Sequence, residues 1–161
     1  MKKIKAREIY VIYNWISSLK DIKDGKFAYA LGMNKKRIKD ILIPFEELPA
    51  KKAFSEYSIK LRSVEDRKGA MFRDEKVKPE DREAKIKEFD KESEKITKDN
   101  EGVIKDNKEL LDTEIEFEPY MVNKSEIPNE IGVTSDPTNP MKKLELQDVM
   151  EGLLPIIRDE Q

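Results

Sequence analysis

Residues 79–111 read PEDREAKIKEFDKESEKITKDNEGVIKDNKELL, and this segment decides the fold. Proline fits the first turn of a helix, and the acidic residues after Pro79 are favourable at the positive end of the helix dipole. The same segment repeats an apolar residue every seven positions, at Phe89, Ile96, Val103 and Leu110. A heptad repeat of this kind is typical of helices that pack side by side. The sequence therefore predicts one long charged helix over residues 79–112.

The apolar stripe of this helix is thin. Polar residues alternate with the heptad residues along the seam, the face of the helix that would pack against a neighbour. A helix with so little apolar surface is not stable alone and must lie against another helix. We therefore expect the heptad residues to form an interface: Phe89, Ile96, Val103 and Leu110. Their partner is either residues 45–57 of the same chain, in a helical hairpin, or a second copy of the chain in a homo-oligomer.

The remaining segments predict a mainly α fold with a small β element. Apolar residues at a spacing of three to four indicate one helix over residues 6–19 and a second from Lys26 onward, which kinks or ends at Pro44. Alternation at Ile59 and Leu61 predicts a short β-hairpin over about residues 57–77. Later patterns predict, in chain order, a strand at 114–118, a loop at 132–140 and a helix at 144–157.

The length of 161 residues fits a single domain, residues 1–161. Its parts are a basic helical part at 1–63, the β-hairpin at 64–78, the long charged helix at 79–112, and a strand, a loop and the C-terminal helix within 113–161. Residues 1–63 carry 15 Lys and Arg against 7 Asp and Glu, whereas residues 64–161 carry 17 against 27. This polarity serves either an acidic ligand or the docking of one half on the other, within a chain or between copies.

The chain contains no cysteine and no histidine. Disulfides, thiolate nucleophiles, Ser-His-Asp triads and the commonest transition-metal ligand are therefore excluded. Glu114, Glu116 and Glu118 share one face of the predicted strand, where they either bind Mg²⁺ or Ca²⁺ or form its solvated side. The solvated side is favoured. The sequence therefore predicts no catalytic residues, no metal, no cofactor and no enzymatic activity.

The densest basic cluster of the chain lies in the second predicted helix. Lysine and arginine there are suited to gripping phosphate groups. The candidate ligand-binding residues are Lys26, Tyr29, Asn34, Lys35, Lys36, Arg37 and Lys39. A solvated helix face explains the same residues without any ligand. The net charge of −2 argues against nucleic acid as the main partner.

The N-terminal region combines basic residues with a short apolar stretch, residues 9–16. Asn14 interrupts that stretch and no small-residue cleavage site follows it, which argues against a signal peptide. No run of about 18 apolar residues exists that would span a bilayer. The sequence therefore predicts a cytoplasmic protein without a membrane partner.

The order of these features resembles a family of short accessory proteins, mostly without assigned function, encoded by tailed bacteriophages and prophages. The shared pattern consists of AREIYVIYNWISSLK (6–20), GKFAYALGMNKKRIKDI (25–41), KELLDTEIEFEPYMV (108–122) and the ending LLPII (153–157). The segment GVTSDPTNP (132–140) is longer than the loop of that pattern. The resemblance implies a host bacterial cytoplasm and offers no catalytic residues to carry over.

The leading hypothesis for function is a non-enzymatic phage accessory protein that self-associates and acts as a scaffold or adaptor for a host or phage protein. The alternative is an anti-defence protein that sequesters a small anionic ligand, such as a host nucleotide signal. A metal-dependent hydrolase that uses the acidic strand is a weaker alternative.

Overall fold

A computed structural model describes residues 2–20, 22–74, 77–128, 131–133 and 146–158. The α-helices in this part of the chain are α1 (Ala6–Ser18), α2 (Gly25–Glu46), α3 (Pro49–Arg73), α4 (Pro79–Asp99), α5 (Glu101–Leu111) and α6 (Leu146–Leu153). The strands are β1 (Lys2–Lys5), β2 (Leu19–Lys20), β3 (Glu114–Phe117), β4 (Val122–Asn123), β5 (Gly132–Val133) and β6 (Ile157–Arg158). The predicted fold class, mainly α with a small β element, is confirmed.

The chain divides into two compact units. The first combines Met1–Phe45 with Leu111–Gln161, and the second is the continuous segment Glu46–Leu110. The first unit therefore contains residues from both sides of the second in the sequence. Whether the two units fold as one domain stays a prediction.

The core of the first unit is built around α1, α2 and α6. Helix α1 buries residues at a spacing of three to four, which is the period of one helical face: Ala6, Ile9, Ile12, Trp15 and Ile16. Helix α6 packs on α1 and adds Val149 and Leu153. The fit is close at Gly152, because a Cβ atom at this position would overlap the indole ring of Trp15.

The first unit also joins the basic start of the chain to its acidic later part. Strands β1 and β3 pair antiparallel, with Lys3 opposite Glu116 and Lys5 opposite Glu114. Cross-strand pairs of opposite charge each stabilise a sheet by roughly 0.2–1 kcal/mol. Lys5 and Arg7 also form ion pairs with Asp112. Within this unit, basic residues from the start of the sequence thus bind acidic residues from the later part of the same chain.

The predicted strand at 114–118 is confirmed as β3, with Glu114 and Glu116 exposed and Phe117 buried. Two further strand pairs join distant segments: β2 pairs antiparallel with β5, and β4 pairs parallel with β6. The predicted helix at 144–157 is observed as α6 followed by a 3₁₀ turn, Leu154–Ile156. Of the predicted loop at 132–140, the first two residues form β5 and residues 134–140 lie outside the described residues.

Helix α2 starts at a polar cap and continues through Pro44, so the alternative in which it ends there is wrong. The carboxylate of Asp24 accepts a hydrogen bond from the Phe27 N–H (2.8 Å), which satisfies one of the free donors of the first turn. The helix continues for two residues beyond Pro44. It tolerates this proline because the single lost hydrogen bond falls in its last turn.

The second unit is an antiparallel helical hairpin of α3 and α4. Tyr57 and Thr97 are joined by a hydroxyl hydrogen bond (3.5 Å), and Lys68 pairs with Asp90 (2.7 Å), so residues later in α3 meet residues earlier in α4. Helix α4 begins at Pro79 with Glu80 and Asp81 in its first turn, as predicted. The long charged helix is confirmed as α4 and α5, which are separated only by Asn100.

The predicted β-hairpin at residues 57–77, assigned to 64–78 in the domain division, is wrong. Residues up to Arg73 belong to α3, which opens with Pro49 in its first turn. Helix α3 buries Tyr57, Val64 and Met71, which are again seven residues apart. This period extends over the whole helix, whereas the alternation at Ile59 and Leu61 covers only three residues. The seven-residue period determines that this segment is helical, because it gives α3 a continuous apolar seam that packs against α4.

Ion pairs join the two helices of the hairpin along the edges of that seam. Arg67 pairs with Glu92 (2.6 Å), and its guanidinium carbon lies 5.6 Å from the centre of the Phe89 ring. The Asp90 carboxylate, which accepts a hydrogen bond from Lys68, raises the pKa of that lysine. Charged groups of α3 therefore help to fix its register against α4.

Candidate functional site

All seven residues of the predicted ligand site lie on α2, but they point in different directions. Each residue turns a helix by about 100°. The buried face of α2 is formed by Phe27, Ala30, Leu31, Asn34, Ile38 and Leu42. Lys36 lies opposite this face, whereas Lys35 and Arg37 flank it on either side. The basic cluster is therefore not one continuous surface.

Asn34 is fully buried and cannot reach an external ligand, so its assignment to the ligand site is wrong. Its amide nitrogen donates to the carbonyl oxygens of Ala30 (3.0 Å) and Tyr120 (2.8 Å). Its amide oxygen accepts a hydrogen bond from the Tyr120 N–H (2.8 Å). A buried amide is stable only when its polar atoms are paired. Here that pairing fastens the segment after β3 to α2.

The flanking residues of the cluster are also engaged within the first unit. The Arg37 guanidinium donates to the carbonyl oxygen of Glu118 (2.7 Å), next to the Asn34 contacts. The Lys35 ammonium lies 5.8 Å from the centre of the Tyr13 ring, within the range of a cation–π contact. These two side chains contribute to packing of α2 against its neighbours.

The solvent-facing part of the predicted site consists of Lys26, Tyr29, Lys36 and Lys39. Tyr29 is 59% exposed and meets Tyr120, itself 40% exposed, edge to face at a ring separation of 5.8 Å. Lys26 and Lys36 project within about 60° of Tyr29 around the helix axis. We call Lys26, Tyr29, Lys36 and Tyr120 the α2 surface. It combines an exposed aromatic pair with two lysines.

The predicted interface residues divide between two helices of the second unit. Phe89 and Ile96 lie on α4, Val103 and Leu110 lie on α5, and all four are half-buried. Helix α3 of the same chain packs against α4, so the α4 part of the seam is not a free surface for a second copy. The same-chain partner extends well beyond the expected residues 45–57. A contact between copies through α4 must therefore use another face of that helix, whereas the role of Val103 and Leu110 stays a prediction.

The polar seam positions contain buried groups without partners. The Ser93 hydroxyl and the Asn107 amide oxygen are buried and make no hydrogen bond among the described residues. Such groups destabilise a coiled coil while restricting the registers that it can adopt. The unpaired Ser93 hydroxyl on α4 therefore lowers the stability of the hairpin.

No group of three or more acidic side chains suited to holding a metal ion is found among the described residues. Glu114 and Glu116 instead face the lysines of β1 across the sheet. Among the same residues, no helix is long and apolar enough to cross a membrane.

Sequence reasoning missed Tyr120 as part of the α2 surface. This residue lies 91 positions after Tyr29 and follows a strand rather than a helix, so no periodic pattern connects the two. It also missed the seam of α3, although the spacing of Tyr57, Val64 and Met71 matches that of the heptad in α4.

Comparison with known proteins gives no relative for this arrangement. No family model matches the chain, no curated protein matches it, and no solved structure matches its fold.

Proposed function

We propose that this chain is a non-enzymatic binding protein that self-associates and acts as a scaffold or adaptor. The observation that carries this proposal is an exposed isoleucine on the outer face of the helical hairpin. Ile59 on α3 is 66% exposed, although the rest of the outer hairpin surface is dominated by charged residues. A helix in a two-helix hairpin normally places polar residues on the face away from its seam. An exposed isoleucine there favours a further protein contact. The accessory role for a bacteriophage is supported only by the resemblance of the sequence.

We expect the protein to be a dimer or larger at micromolar concentration. Size-exclusion chromatography with light scattering should give a mass of at least twice the 18.8 kDa of one chain. Serial dilution should shift that mass towards one chain, because association follows mass action. A mass of 18.8 kDa throughout the concentration range would contradict self-association.

A second candidate function, binding of a small anionic ligand such as a nucleotide, is favoured by the α2 surface. Its exposed tyrosine pair offers a ring face or edge to a planar base, and Lys26 and Lys36 supply positive charge on the same side of the helix. Arg37 is a poor test residue for this function, because its guanidinium already bonds to the Glu118 carbonyl oxygen.

Replacement of both Lys26 and Lys36 by glutamate should separate the two candidates. If a nucleotide binds here, loss of two charged contacts of roughly 1.5–3 kcal/mol each should weaken binding about a hundredfold or more. Isothermal titration with ATP and with a cyclic dinucleotide would measure this change. Lys95→Glu with Lys98→Glu on α4 is the matched control, with the same change in net charge. Undiminished binding in the α2 variant, or no binding to the unmodified protein, would rule out nucleotide binding at this surface.

A further inference from the structure

The outer face of α3 carries a groove in which Arg67, at the edge, is the one lining residue with an ion pair to α4 among the described residues. We call it the α3 groove; it has a volume of about 430 Å³ and is lined by Ile59, Arg62, Ser63, Asp66, Arg67 and Ala70. These residues are all exposed and follow the spacing of one helical face. The buried seam residues of α3, such as Val64, point elsewhere. The groove is therefore a second packing face on a helix that is already paired through its first.

The shape of the α3 groove alternates between bulk and space. Ile59 projects at one end, and the small side chains of Ser63 and Ala70 leave room along the rest. Helices pack by placing a projecting side chain of one into a depression on the other. Two copies of this face are therefore complementary in shape when they meet in antiparallel orientation, because the projecting end of each then meets the open end of the other.

The charges of the α3 groove are also arranged so that its two halves complement each other. Neither Arg62 nor Asp66 has an ion-pair partner among the described residues, whereas Arg67 at the edge is held by Glu92. A positive group and a negative group thus remain, one on each side of the midpoint of the groove. A partner that presents the same two charges in reverse order would satisfy both.

We propose that the α3 groove binds the α3 groove of a second copy of this chain, with the two helices antiparallel about a two-fold axis. This inference rests on the self-association proposed above and names its surface. Isologous contacts of this kind, in which one patch meets itself, are the commonest in protein dimers.

The residue numbers fit this symmetry. We consider a two-fold axis that passes between the two α3 helices, level with the midpoint of residues 64 and 65. This axis places Ile59 of one copy opposite Ala70 of the other. It places Arg62 within about 1.5 Å of Asp66 of the second copy, measured along the helix axis, because each residue rises by that distance. The two side chains also project to the same side of the contact. One arrangement therefore buries both isoleucines and pairs Arg62 with Asp66 twice, once in each half of the contact.

The experiment exchanges these charges in the full chain and measures dimer dissociation by sedimentation at low ionic strength, where screening is weak. Arg62→Asp places two aspartates opposite each other in both halves of the contact, and Asp66→Arg places two arginines there. Each variant should dissociate at least tenfold more readily. The double exchange, Arg62→Asp with Asp66→Arg, should recover the original dissociation constant, as should an equimolar mixture of the two single variants. Lys95→Asp on α4 is the control for Arg62→Asp, with the same change in net charge, and should leave dissociation unchanged.

A further variant tests the apolar part of the contact. Ile59→Asp should also weaken the dimer at least tenfold, while circular dichroism should show intact helices because Ile59 is exposed in the single chain. A dimer that resists both Ile59→Asp and Arg62→Asp would overturn this surface and leave self-association standing. A dimer weakened by the single changes but not recovered by the double exchange would overturn the antiparallel register. A monomer at every concentration would overturn the surface and self-association together.

Discussion

Replacement of Asn34 by alanine is expected to lower the free energy of unfolding by about 3 kcal/mol, since a buried donor or acceptor left without a partner costs roughly 1–3 kcal/mol. The alanine variant loses all three hydrogen bonds of the amide and leaves the Tyr120 N–H and carbonyl oxygen without that partner. The segment after β3 should then detach from α2. Urea denaturation followed by circular dichroism would measure the change in stability.

Two further variants define what the Asn34 amide contributes. Asn34→Asp keeps an oxygen for the Tyr120 N–H but turns a negative carboxylate towards two carbonyl oxygens, so it should destabilise at least as much as alanine. Lys36→Ala, on the exposed face of the same helix, should change stability by less than about 0.5 kcal/mol. If the Asn34→Ala variant were as stable as Lys36→Ala, the Asn34 hydrogen bonds would not fasten the segment after β3 to α2.

Gly152→Ala is expected to destabilise the first unit by about 2 kcal/mol, which lies within the range typical of an extra methyl group forced into a packed core. The new Cβ would overlap the indole of Trp15, which is buried and cannot move without displacing its neighbours in α1. Trp15 is the only tryptophan in the chain, so its fluorescence reports on this contact directly. We expect emission at longer wavelength together with a lower unfolding midpoint.

Gly32→Ala is the matched control for this prediction. Gly32 also lies within a helix, but a Cβ atom there would meet nothing within 4 Å. Alanine should therefore stabilise α2 by up to about 1 kcal/mol, through helix propensity alone. If both substitutions stabilised the protein, the close packing of α6 on α1 would be contradicted.

The sequence predicted those elements whose signal is local and periodic. The acidic first turn after Pro79 and the heptad from Phe89 identified α4 and α5, and alternation identified β3. Helix α3 was missed because its polar residues outnumber its apolar ones, and a brief alternation at Ile59 and Leu61 resembled a strand. Only the longer spacing of its buried residues distinguishes a helix there.

The site was predicted less completely, because composition does not show where a side chain points. Asn34 has the chemistry of a ligand-binding residue, yet its position on the buried face of α2 gives it a structural role. Arg37 is turned towards a backbone carbonyl that lies 81 residues away in sequence. Neither contact follows from a local pattern, since both depend on the fold bringing residues 118–120 to α2.

The pairing of β1 with β3 also constrains the order of events during synthesis. Lys2 lies opposite Phe117, so β1 is synthesised well before the strand with which it pairs. The antiparallel pair of α3 and α4 depends on contacts between nearer segments, and such contacts form sooner because they close shorter loops. Translation therefore completes the α3–α4 hairpin before it produces β3, the strand that pairs with β1.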